Sequence, residues 1–82
     1  MARFQVLIKT CEACPSQWEG QLDDDLYLYI RYRWGVLSVG IGETLDEAIG
    51  NRNFLEKVGD TFDGVMSTST MLSYLVKWGL IE

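Results

Sequence analysis

The chain has 82 residues, 48% hydrophobic and 12% aromatic, with 12 acidic side chains against 7 basic ones, a formal charge of -5 and no histidine. That length holds one domain, residues 1–82, with a single modest core, and the composition excludes a disordered chain. The negative charge argues against general affinity for a nucleic-acid backbone or an anionic membrane. No apolar run reaches the roughly 18 residues of a membrane span and the apolar run at the start is too short for a signal peptide, so the expected location is cytoplasmic.

Residues 2–10 alternate, with Phe4, Val6 and Ile8 on an apolar face against Arg3, Gln5, Leu7 and Lys9, which predicts a first strand with one exposed leucine. The segment CEACP follows. Its Cys11 and Cys14 have the spacing of a redox pair or of half a zinc site. Zinc would need carboxylates or a second chain, since there is no histidine or third cysteine, and Pro15-Ser16-Gln17-Trp18 is a poor helix start for a redox motif. A reduced structural turn is the leading expectation, with disulfide and inter-chain metal as alternatives.

Residues 16–42 set the sidedness of the fold. Trp18, Gly20 and Leu22 alternate with Gln17, Glu19 and Gln21, and Asp23, Asp24 and Asp25 supply a polar turn. Leu26, Leu28, Ile30, Tyr32 and Trp34 then point one way and Tyr27, Tyr29, Arg31 and Arg33 the other. Folding about Trp34-Gly35 pairs Tyr32 with Leu37, Ile30 with Val39 and Leu28 with Ile41, and on the opposite face Arg31 with Ser38 and Tyr29 with Gly40. A slip of one residue would drive both arginines into the core, so the register is specified. The aspartate turn independently pairs Trp18 with Ile30, Gly20 with Leu28, Glu19 with Tyr29 and Gln17 with Arg31, burying the same face. Gly20 leaves room there for a large side chain from a helix.

After Gly42 the period lengthens. Thr44 to Glu47 fits a capping box, and Leu45, Ala48 and Ile49 are expected to face the sheet. The helix either stops near Gly50-Asn51 or continues through Phe54, Leu55 and Val58, and a second start at Asn53 gives two short helices instead. Residues 59–64 are a loop with Phe62 tucked beneath it, and Val65-Met66 are a candidate short strand. The final helix is capped within Ser67 to Ser69, carries Met71, Leu72, Leu75 and Val76 as its apolar stripe, and ends at Gly79 with Leu80 folding back. The expected fold is α+β, a four-stranded, mostly antiparallel sheet with two or three helices packed on one face.

The outward face is the candidate site. Gln17, Glu19, Tyr27, Tyr29, Arg31, Arg33 and Ser38 form a patch across three strands where tyrosine rings stack on a planar ligand and guanidinium groups hold a carboxylate or phosphate. Tyrosine and arginine are also enriched at protein-binding hot spots. The plainer expectation is a solvated face on which Glu19 and Gln17 neutralise Arg31. Alternating tyrosine and arginine suit single-stranded nucleic acid, but Glu19 and the three aspartates border the patch and the net charge opposes a phosphate backbone. An enzyme is not expected. Histidine is absent, GIGETLDEAIG lacks the spacing and lysine of a phosphate-binding loop, and no serine sits in a nucleophile elbow. Asp60 and Asp63 with Asp24 have no calcium-loop spacing, and no cofactor is implied.

CPSQWEG followed by YIRYRWG, over residues 11–42, resembles a pattern in small uncharacterised proteins of bacteria and their phages. The resemblance implies no activity and transfers no site residues. In size and charge the chain is also similar to phage-encoded inhibitors of bacterial defence systems. The leading expectation is a non-enzymatic interaction protein, with a phage inhibitor of a host defence protein as one form of it, engaging its target through the tyrosine and arginine face or through the acidic rim of Asp23 to Asp25. The alternatives are a nucleotide-like small-ligand binder and a thiol or metal protein acting through Cys11 and Cys14. Self-association through an open first-strand edge or through Tyr74 and Trp78 is a further expectation.

Overall fold

The computed structural model describes residues 3–13, 15–61 and 63–82. Five antiparallel strands lie in the sheet in chain order: β1 (Phe4–Cys11), β2 (Ser16–Leu22), β3 (Tyr27–Arg33), β4 (Val36–Gly42) and β5 (Phe54–Lys57). The helix α1 (Leu45–Gly50) connects β4 to β5, and α2 (Thr68–Lys77) closes the chain. The chain is α+β with an antiparallel sheet, as expected, but the sheet has five strands. Phe54 to Lys57 alternate half-buried and exposed in a period of two and pair with the free edge of β4. No second helix starts at Asn53, and Val65-Met66 form no strand.

Both central hairpins have the expected register, Trp18 opposite Ile30, Ile30 opposite Val39, and Arg31 between Gln17 and Ser38. Trp34 and Gly35 both adopt positive φ, 57° and 71°, as a two-residue type I′ turn requires. The inner face joins Trp18, Leu28, Ile30, Tyr32, Leu37 and Val39 to Met71 and Leu75 of α2. Position 39 faces Phe54, whose ring stacks on Trp78 at 5.3 Å. The Trp18 indole donates to Thr68 Oγ1 at 3.0 Å, and the buried Ser16 hydroxyl donates to the Glu12 carbonyl and accepts from Met66 N. These bonds fasten residues 64–68 across β2.

The helix α2 starts on Ser67, whose hydroxyl accepts from Thr70 N. It ends in a Schellman arrangement, with Gly79 at φ 77°, Gly79 N donating to Val76 O and Leu80 N to Leu75 O. Tyr74 and Trp78, expected as a self-association stripe, are engaged within the chain. Trp78 stacks on Phe54, lies 6.1 Å from Tyr74 and donates its indole N–H to Glu56.

Two expectations about sidedness are overturned. In β1 the register shifts between Phe4 and Val6, so Phe4 faces Leu22 and Leu7 faces Gly20 on the inner side, while Val6 and Ile8 face Gln21 and Glu19 on the outer side. The irregularity inverts the alternation downstream of it. Lys9 then lies over the Trp18 ring, 5.2 Å from its centroid, with its amine bonded to Met66 O and Glu12. The space at Gly20 is filled from the neighbouring strand, by the Phe4 ring.

The helices do not share a face. A side chain at Gly40 would strike the carbonyl oxygens of Ala48 and Asn51, and one at Gly42 would meet Glu47, so α1 lies directly on the outer face. Ala48 is fully buried there, whereas Ile49 is exposed. Glycines in β4 permit this contact because a helix backbone reaches a strand backbone only where no Cβ intervenes.

Candidate functional site: the outer face of the sheet

Alternation along β2, β3 and β4 sends Gln17, Glu19, Tyr27, Tyr29, Arg31, Arg33 and Ser38 to the outer face, and α1 divides that face in two. Tyr29 is paired with Gly40, the position α1 covers, so the expected continuous surface of tyrosine and guanidinium is interrupted at its centre.

On one side of α1, Arg31, Arg33 and Ser38 meet Arg52, Trp34 and Leu55 around an open depression of about 280 Å³. Arg33 lies over the Trp34 ring, 4.9 Å from its centroid. Arg52 is held by Nη1 donating to the carbonyls of Ile49 and Asn51, at 3.0 and 2.9 Å. The two flanking asparagines fix that segment to β4, Asn51 Nδ2 donating to Ile41 O and Asn53 Oδ1 accepting from Ile41 N. Ser38, 8% exposed, donates to the Arg31 carbonyl at 3.4 Å.

The expected neutralisation of Arg31 by Glu19 and Gln17 is not found. Glu19 is in register with Tyr29, and the Gln17 amide donates to Thr10 Oγ1. Among the described residues Arg31, Arg33 and Arg52 make no ion pair, whereas Arg3, Lys9 and Lys77 are paired with Glu82, Glu12 and Glu56. The Nε of Arg31 is buried and has no hydrogen-bond acceptor, a state that costs about 1–3 kcal/mol in a neutral donor and more in a charged one.

On the other side of α1, Val6, Ile8, Glu19, Gln21, Tyr27 and Leu45 surround a smaller depression of about 160 Å³. Of the expected site residues, then, Arg31, Arg33 and Ser38 come together, Glu19 and Tyr27 lie in the second depression, and Gln17 and Tyr29 line neither. Arg52 and Leu55 are absent from the expected set because the helix is expected either to stop near Gly50-Asn51 or to continue through Leu55, and neither alternative offers a strand at residues 54–57. The run Phe54-Leu55-Glu56-Lys57 carries no apolar alternation, and Leu55 is placed outward by the pairing of β5 with β4, where it faces Ser38.

Cys11 is half-buried, with its Sγ 3.5 Å from Ala13 O, and Cys14 lies outside the described residues, as does Phe62. Among the described residues no three histidine, cysteine, aspartate or glutamate side chains gather as a metal would require. Asp63 is occupied by Tyr32, and Asp24 caps Leu26 N at the other end of β3. No helix among these residues is long and apolar enough to cross a membrane. Comparison with protein-family models, curated proteins and solved structures gives no match.

Proposed function

We propose that this chain is a non-enzymatic interaction protein that engages a protein partner through the outer face of its sheet. One observation carries the reading. Of the seven large apolar side chains exposed among the described residues, Val6 (47%), Ile8 (57%), Trp34 (55%), Ile49 and Leu55 (65%) belong to the outer face, its hairpin tip or the helix lying on it. Only Val65 and Val76 lie elsewhere. Apolar side chains concentrated on one face and interleaved with arginine are the composition of a protein-binding surface, in which buried aromatic and guanidinium anchors carry most of the affinity. In this reading the partner is a bacterial host protein, as the expected inhibitor of a host defence system requires.

The test is affinity capture from a bacterial host extract with the immobilised full chain, repeated with Ile8→Ser and with Trp34→Ser/Leu55→Ser, and with Val65→Ser and Val76→Ser as controls. The partner is expected to be retained by the wild type and both controls and lost by the outer-face variants. Retention that ignores the outer-face changes, or is lost equally in the controls, overturns the reading.

A further inference from the structure

Resting on the outer face being the binding surface, we propose that the depression between Arg31, Arg33 and Arg52 is a receptor for the dianionic phosphoryl group of a phosphate monoester. The first support is the distribution of charge. In a chain with 12 carboxylates and 7 basic residues, three guanidinium groups line one depression to which no carboxylate contributes, whereas three of the other four basic side chains, all but Lys57, have found partners. Leaving three like charges together is unfavourable unless an anion joins them.

The second support is that the donors are already oriented. Arg52 is tied by Nη1 to the carbonyls of Ile49 and Asn51, which leaves its Nε and Nη2 without a bond in the described structure. Arg33 is held against Trp34, and Arg31, whose Nε is buried and leaves only the rest of its guanidinium to meet a ligand, lines the same depression. Planar guanidinium forks fixed in this way match the terminal oxygens of a phosphoryl group and lose little freedom on binding it. A carboxylate offers two oxygens and one charge to three guanidinium groups, whereas a phosphate monoester offers three terminal oxygens and nearly two charges. The exposed Trp34 ring and Leu55 beside the cations supply apolar surface for the group that carries the phosphate.

The same chemistry is presented by a phosphorylated side chain of a partner protein and by a free phosphorylated metabolite. The full chain is titrated at constant ionic strength with phenyl phosphate and phenylacetate, following the amide resonances of Arg31, Ser38 and Leu55 by NMR, and then with adenosine monophosphate and a phosphoserine peptide. Saturable shifts with phenyl phosphate are expected, weakened about tenfold or more in Arg52→Gln and Arg33→Gln, as loss of one charge-assisted bond requires, and unchanged in Lys77→Gln. Tighter binding of the peptide identifies a phosphorylated partner as the source, and tighter binding of the nucleotide a free metabolite. Absence of saturation, equal binding by the arginine variants, or phenylacetate binding as tightly as phenyl phosphate overturns the proposal. A chain that captures its partner through Ile8 and Leu55 yet fails these titrations loses the phosphoryl site and keeps the interaction surface. One that binds phenyl phosphate through Arg52 while its apolar variants capture normally does the reverse.

Discussion

The Tyr32 hydroxyl donates a 2.7 Å hydrogen bond to Oδ2 of Asp63, tying the inner face of β3 to the loop that follows β5. The hairpin tip is held by the same loop, with Gly35 N donating to Asp63 O and Gly35 O accepting from Val58 N and Gly59 N. Gly35 has no room for a side chain because the carbonyls of Gly59 and Asp60 lie against it. Tyr32 is 1% exposed. Burial first, and then the bond and charge of Asp63, push its phenol up from 10.0 to about 12.

An alkaline transition follows from that shift. The unfolded chain ionises this tyrosine before the folded one, so the stability it confers is complete below pH 10.0 and is lost as pH rises through about 12. Urea midpoints of the wild type are expected to fall across that window. Tyr32→Phe starts lower at neutral pH, lacking the bond, and declines less steeply. Equal alkaline slopes in the two proteins would contradict the assignment.

Trp34 is held at φ 57° although it carries a bulky side chain. The left-handed region costs such a residue about 1–2 kcal/mol, and asparagine tolerates it better. Trp34→Asn is expected to stabilise the fold by up to about 1 kcal/mol, net of the lost Arg33 contact, while partner capture declines. Chemical denaturation measures the first effect. A loss of stability would show that the ring supports the hairpin instead of serving recognition.

Arg31 presents a similar conflict between stability and binding. Its buried Nε has no acceptor, so Arg31→Met, which keeps the length and removes the unsatisfied donor, is expected to leave stability unchanged or raise it by about 1 kcal/mol. Phenyl phosphate binding is expected to disappear in the same variant. Destabilisation beyond about 1 kcal/mol would assign the guanidinium a structural role.

Gly40 bears the contact between β4 and α1. Gly40→Ala is expected to destabilise the protein by about 1–3 kcal/mol, since the added methyl must displace the Ala48 and Asn51 carbonyls. Hydrogen exchange is expected to increase in residues 45–53 more than in β2 or β3. Protection unchanged over 45–53 would place the helix elsewhere.

The two central hairpins were legible in the sequence because a period of two leaves one register that buries Trp18, Ile30 and Val39 together and keeps Arg31 and Arg33 out. Helix α2 was legible for a similar reason, its cap, apolar stripe and terminal glycine being local signals that agree. These features determined which side chains of β2, β3 and β4 face outward, and with them Arg31, Arg33 and Ser38 of the candidate site.

What joins them was settled only by packing between segments distant in sequence. The irregularity after Phe4 reverses β1 because its pairing with β2, not its own alternation, decides which way Leu7 and Ile8 point. Residues 54–57 become a strand because β4 offers an unpaired edge, a tertiary demand that outweighs local helix propensity. The crossing of α1 over Gly40 then brings Arg52 to Arg31 and Arg33. A side chain can be assigned to a face from its own neighbours in the chain, but three cations from separate segments meet only when backbones that know nothing of each other locally come into contact.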